Sequence, residues 1–146
     1  MKDNRGLARR AALALLACAL LMAPAAFAQD PRAAIVQGVA REWLLLADQL
    51  DAAATWNAAG PRFQQALTVV RWAEGLARER EPRGAIVRRT AASTSFGTTL
   101  GGVTESGNFA LVKFRSSFAR RPEAEEHVTL ELGADDKWRV VGYVIL

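Results

Sequence analysis

The chain holds one histidine, His127, and one cysteine, Cys18, so any thiol, zinc or histidine-driven chemistry has to be built from these two. Zinc asks for three or four nitrogen or sulfur ligands held together, and the two residues lie at opposite ends of the sequence. His127 alternates with Thr129 and Glu131 in a strand-like run, which is the pattern of an exposed strand position. A serine triad would need the same histidine, and "RSSF" at Arg115–Phe118 lacks the glycines of a nucleophile elbow. Asp135-Asp136 is the only adjacent acidic pair in a tight connection; calcium takes six or more oxygens, and turn geometry alone accounts for Asp there. "TSFGTTLGGVTESG" has glycines and hydroxyls that could wrap a phosphate, yet no Lys follows and no helix begins there, so a hairpin loop is expected.

What remains is a set of candidates for a pocket. Trp43, Trp56, Trp72 and Trp138 could line a cavity and offer indole N–H donors, although at core spacing such residues usually fill volume. Glu42, Asp48 and Tyr143 are the acid or base candidates. With Trp43 and Trp72 they form the set that a pocket between helices and sheet would use. No catalytic residue, metal ligand or cofactor is assigned.

The elements that must position these residues begin after residue 28. The opening "MKDNRGLARRAALALLACALLMAPAAFAQD" runs from Lys2, Arg5, Arg9 and Arg10 through an apolar stretch to the small-residue site "AFA", the order of a secretory signal with cleavage after Ala28. A spanning anchor needs ~20 apolar residues, more than this run supplies. "LLAC" allows an alternative, a lipoprotein signal with Cys18 as the lipidated residue. Cleavage after Ala28 removes four basic residues and one acidic one, taking the balance from 19 against 15 to 15 against 14. That near-neutral remainder has no field to hold nucleic acid, and it has no membrane segment. A periplasmic or secreted protein is expected, with residues 29–146 as one domain, long enough to bury a core without disulfides.

"DPRAAIVQGVAREWLLLADQL" has Asp30 as helix cap and Pro31 at the first helical position. Ile35, Val39, Trp43 and Leu46, flanked by Val36 and Leu50, make one apolar stripe. A short helix capped by Asp51 carries Trp56 up to the Gly60-Pro61 stop, and a further short turn runs over 61–67. A longer helix from about Val69 is expected to bury Val69, Trp72, Ala73 and Leu76 and to turn Glu74, Arg78, Glu79, Arg80 and Glu81 to water. Four strand-like stretches follow, "AIVRRTAASTSF", "NFALVKFRSSF", "EHVTLEL" and "KWRVVGYVI", with "ARRPEAE" and "GADD" among the connections. Short connections imply antiparallel neighbours. The expected fold is α+β, with N-terminal helices on one face of a curved four-stranded antiparallel meander. In the last strand Trp138, Val140 and Val144 are expected to face the helices, leaving Val141, Tyr143 and Ile145 on the outer face. A contiguous apolar sheet face rarely stays wet, so that face is expected to meet another copy of the chain or an envelope partner, unless loops and sheet curl cover it.

Trp43-Leu44 with Asp48, Trp56, Trp72, Arg80 with Pro82 and Gly84, Glu126 before Val128-Thr129, and Trp138-Arg139-Val140 with Gly142-Tyr143 together resemble the exported bacterial proteins grouped as domain of unknown function 4019. Arg83, Gly101-Gly102 and Phe109 depart from the pattern. The resemblance covers essentially the whole of residues 29–146 and implies a small cone of helices over a sheet, similar to nuclear transport factor 2-like or cystatin-like folds, with no assigned reaction. Two functions are therefore open: a non-catalytic binding or assembly module, and a small-ligand carrier or acid–base enzyme using the cone's mouth.

Overall fold

Asp30 and Pro31 do start the first helix: the Asp30 carboxylate accepts the Arg32 backbone N–H at 2.9 Å, and Pro31 takes the first helical position. The computed structural model describes residues 30–100 and 106–146. The expected export segment with Cys18 and the Gly101-Gly102 pair lie outside the described residues. Helix α1 spans Pro31–Asp48, α2 Ala52–Ala58, α3 Pro61–Ala66 and α4 Val69–Arg80, followed by a 3₁₀ turn at Glu81–Arg83. Asp51 caps α2 and Thr68 caps α4, each accepting a backbone N–H three residues on. Helix α1 ends in a Schellman arrangement: Asp51 N–H bonds Leu46 C=O at 3.1 Å and Leu50 N–H bonds Ala47 C=O at 3.0 Å. Leu50 sits there at φ 57, a left-handed position usually given to glycine, and it leaves the apolar stripe for the surface.

Strands β1 (Ile86–Gly97), β2 (Phe109–Phe118), β3 (Arg121–Leu132) and β4 (Trp138–Ile145) pair antiparallel in the order β1-β2-β3-β4, the expected α+β meander. Gly84, at φ 76, turns the chain into β1. Strand β3 begins five residues before the expected start, because most of "ARRPEAE" is strand and only Ala119 and Arg120 form the turn. Pro122 is tolerated because it sits beside a break in the β2–β3 ladder, between the Phe118–Arg121 and Ser116–Ala124 pairs, where no ladder N–H is lost.

Helix α1 lies across the inner face and touches all four strands. Its buried stripe is Val36, Ala40, Trp43, Leu44 and Ala47, one step round from the expected one, and Ile35 is 57% exposed. The cause is the sheet, whose inner face already fills with Val112, Phe114, Val128 and Leu130; the helix meets it through Val36, Ala40, Leu44 and Ala47 and turns Ile35 and Leu45 aside.

The last strand differs more. Leu130 pairs with Val140 and Thr129 with Gly142, so Val141 is an extra residue, a β-bulge. The bulge reverses the parity beyond it. Val140 is fully buried as expected, but Tyr143 and Ile145 turn inward and Val144, expected inside, is 45% exposed. Of the three residues assigned to the outer face, only Val141 is left, half-buried beside the α2–α3 turn. Gly60 closes on it: its N–H donates to Val140 C=O at 2.8 Å, and a Cβ on Gly60 would stand 3.0 Å from the Val141 side chain. The outer face instead carries Lys113, Arg115, Glu125, His127 and Thr129, a mostly polar surface.

Candidate functional site

The bulge brings the Tyr143 hydroxyl onto a buried carboxylate that the alternation of β3 puts inside. Glu126 shares its parity with Val128 and Leu130 and is wholly excluded from solvent. An isolated ionised carboxylate in such a place is prohibitively costly, so it must be surrounded by donors, and it is. Tyr143 donates to Oε1 at 2.6 Å and Ser116 donates to Oε2. Arg89 reaches Oε2 through Nε at 2.6 Å and Oε1 through Nη2 at 3.1 Å, and Arg80 Nη2 reaches Oε1 at 3.2 Å. The same two guanidinium groups continue to Asp48, Arg89 as a two-pronged fork at 2.8 and 2.9 Å and Arg80 through Nη1. Two cations and two carboxylates thus close a ring, with a serine and a tyrosine hydroxyl filling what is left on Glu126.

Each position has a local cause. Arg80 ends α4, where a cation suits the negative end of the helix dipole; it continues the buried line Trp72, Leu76, Arg80 at four-residue spacing. Its guanidinium lies 5.4 Å from the Phe118 ring centre and 5.6 Å from that of Tyr143, cation–π distances. Asp48 ends α1, where the dipole opposes an anion, and the two arginines compensate. Arg89 reaches the inner face because β1 has two irregularities of its own, after Ile86 and after Ala91; these put Ile86, Arg89, Ala91, Thr94 and Phe96 on one side. The ring therefore ties α1, α4 and all four strands together at one point.

These contacts set the protonation states. Burial opposes ionisation of Asp48, but hydrogen bonds from Arg89 and Arg80 outweigh it and hold the carboxyl below its ordinary range. Burial also works against the charge on Arg89, and its bonds to Asp48 and Glu126 more than restore it. Burial first, and the negative charge of Glu126 second, push the Tyr143 phenol well above its ordinary value. Near neutral pH, Asp48 is thus held ionised and Tyr143 held neutral, each away from the range in which an acid or base exchanges protons.

Next to the ring is an aromatic cluster. Trp43 lies 5.3 Å from Tyr143, 5.8 Å from Trp72 and 6.4 Å from Phe63, centre to centre. Three of the four indole N–H groups are taken by the protein: Trp43 donates to Thr55 C=O at 2.9 Å, Trp72 to the Thr55 hydroxyl at 2.8 Å and Trp56 to Leu67 C=O at 2.8 Å. They are spent on α2 and the α3–α4 connection, which fixes these segments over the sheet.

Of the pocket candidates, Asp48, Trp43, Trp72 and Tyr143 come together around this site. Glu42 does not; it is exposed on the outward side of α1. Arg80, expected in water, is 4% exposed. Arg89, Glu126, Ser116 and Thr55 were not among the candidates. Two of them carried a visible signal, since Glu126 and Ser116 are polar residues on apolar parities. The surface depression nearest the ring, about 390 Å³, is lined by Asp48, Leu50, Arg80, Glu81, Gly84 and Arg120, so only Asp48 and Arg80 of the ring reach it.

Residues 39–143 match the family described as "Protein of unknown function (DUF4019)". No curated protein and no solved structure matches the chain.

Proposed function

We propose that this chain, which belongs to the DUF4019 family, is an exported, non-catalytic binding or assembly module. One observation carries the reading: the acidic and phenolic groups of its buried site are each bound by partners from the same chain, and Glu126 at its centre is wholly excluded from solvent. Catalytic acids and bases are tuned toward the working pH, whereas Asp48 and Tyr143 are moved away from it. Arginines that clamp two carboxylates at once are better suited to locking helices on a sheet than to moving protons. Export is supported by the charged, apolar and small-residue order of the first 28 residues. The intact mass of the protein recovered from periplasm tests that part; a chain starting at Gln29 is expected, and an unprocessed Met1 end would count against it.

The competing acid–base reading draws on the carboxylate of Glu126 lying 2.6 Å from the Tyr143 hydroxyl. Tyr143 is the only tyrosine, so tyrosinate absorbance reports it alone. A phenol whose folded value is raised contributes stability that is intact below the ordinary value of 10.0 and declines as pH climbs beyond it. The expected result is no tyrosinate in the folded state, with its absorbance appearing together with alkaline unfolding above about pH 10. Ionisation of Tyr143 near neutral pH in the folded protein would favour the acid–base reading instead.

A further inference from the structure

The apolar surface of α1 exceeds what the sheet covers. At 100° per residue, Ile35, Glu42 and Leu45 lie on an outward ridge while Val39 and Leu46 lie on its flank. Ile35 is 57% and Leu45 59% exposed. The flank, together with Trp43, Ala58, Trp138 and Val140, walls a groove of about 480 Å³ between α1 and the start of β4. Ridge and groove are side by side on one surface, and their charges are opposite. Glu42 stands on α1 and Lys137 on the strand side of the groove. Neither side chain has an ion-pair partner among the described residues, whereas the nearby Arg139 is already forked onto Asp135 at 2.7 and 2.9 Å.

We propose that the occupant of this groove is a second copy of the chain, placed by a two-fold axis running between ridge and groove. This rests on the reading of the protein as an assembly module and names its partner. Under that symmetry the ridge of each copy enters the groove of the other, covering Ile35 and Leu45 against Val39, Leu46 and Trp138. Each Glu42 then approaches the partner's Lys137. The contact closes on itself and leaves no ridge open for further addition. A small apolar ligand in the groove would lie against Glu42 and Lys137 without pairing either charge and would leave Ile35 and Leu45 in water, so charge complementarity favours the second copy. The surface differs from the outer sheet face considered from sequence, whose apolar residues Tyr143 and Ile145 turn inward.

Sedimentation velocity on the protein as recovered from cells tests the proposal. A dimer with a dissociation constant of ~1 µM or tighter is expected. Leu45→Asp should shift it to monomer. Glu42→Lys and Lys137→Glu should each weaken association about tenfold by setting like charges together, and the double variant should recover to within about threefold of the parent. These side chains are on the surface, so circular dichroism should stay unchanged. A parent chain monomeric up to ~100 µM, or a dimer indifferent to both single reversals, overturns the proposal. So does a monomer carrying a small molecule that Leu46→Asp displaces. Each of these failures leaves the tyrosine titration, and with it the non-catalytic reading, to stand or fall separately.

Discussion

Replacing Trp43 by alanine is expected to destabilise the protein by about 4 kcal/mol, the upper part of the range for large-to-alanine changes in a core. Trp43 is 3% exposed and is the central ring of the aromatic cluster, in contact with Phe63, Trp72 and Tyr143. Truncation opens a void that those rings cannot jointly fill, because Phe63 and Trp72 are held at 82° to each other and Tyr143 is anchored on Glu126. It also strands the Thr55 carbonyl that accepted the indole N–H. For a domain of this size the loss corresponds to a melting point lower by roughly 15 °C. Trp43→Phe, which keeps most of the ring volume and loses the donor, should cost only about 1–2 kcal/mol. Urea unfolding monitored by circular dichroism gives both values. If Trp43→Ala shifted the midpoint by less than ~1 kcal/mol, the indole would be lining accessible space rather than filling a core, and the ligand-pocket function would regain its motivation.

The helices and the meander were legible because their signals are local. Asp30-Pro31, Asp51 and Gly60-Pro61 mark boundaries by capping and backbone chemistry, and the four strand-like stretches follow the change of period after Gly84. The site was legible only in part. Asp48, Trp43, Trp72 and Tyr143 were named for their residue types, but their meeting point depends on the Val141 bulge, and strict alternation puts Tyr143 on the wrong side. A bulge adds one unpaired residue without any required amino acid, and the one hint in "KWRVVGYVIL" is Gly142, since an isolated glycine inside a strand often marks a bulge. Arg89 was hidden for the same reason, by two irregularities in β1. Arg80 was different. It continues the spacing of Trp72 and Leu76, yet a run of charged neighbours suggested a wetted face, and only the presence of Asp48 and Glu126 across the interface makes its burial affordable in free-energy terms.

That mutual dependence makes Glu126 the most sensitive member of the ring. Glu126→Gln is expected to cost about 3–5 kcal/mol, a large share of the ~5–15 kcal/mol that holds a typical domain together. The amide is nearly isosteric, so the loss is electrostatic: Arg80 and Arg89 remain inside with Asp48 as their only carboxylate, and the amide N–H₂ meets donors where an acceptor was needed. Arg89→Met should be comparably harmful in the opposite sense, leaving two carboxylates to share Arg80. The double variant Arg89→Met/Glu126→Gln removes one charge of each sign and keeps the Asp48–Arg80 pair, so its cost should fall short of the two single costs added together by at least ~2 kcal/mol. Added salt should change these values little, because the groups are screened from solvent ions. Chemical denaturation of the three variants measures the cycle. Additive costs would mean that the ring is not a coupled unit. A Glu126→Gln protein as stable as the parent would mean that water or a ligand can enter and replace the lost acceptor, which a sealed structural tie between helices and sheet does not permit.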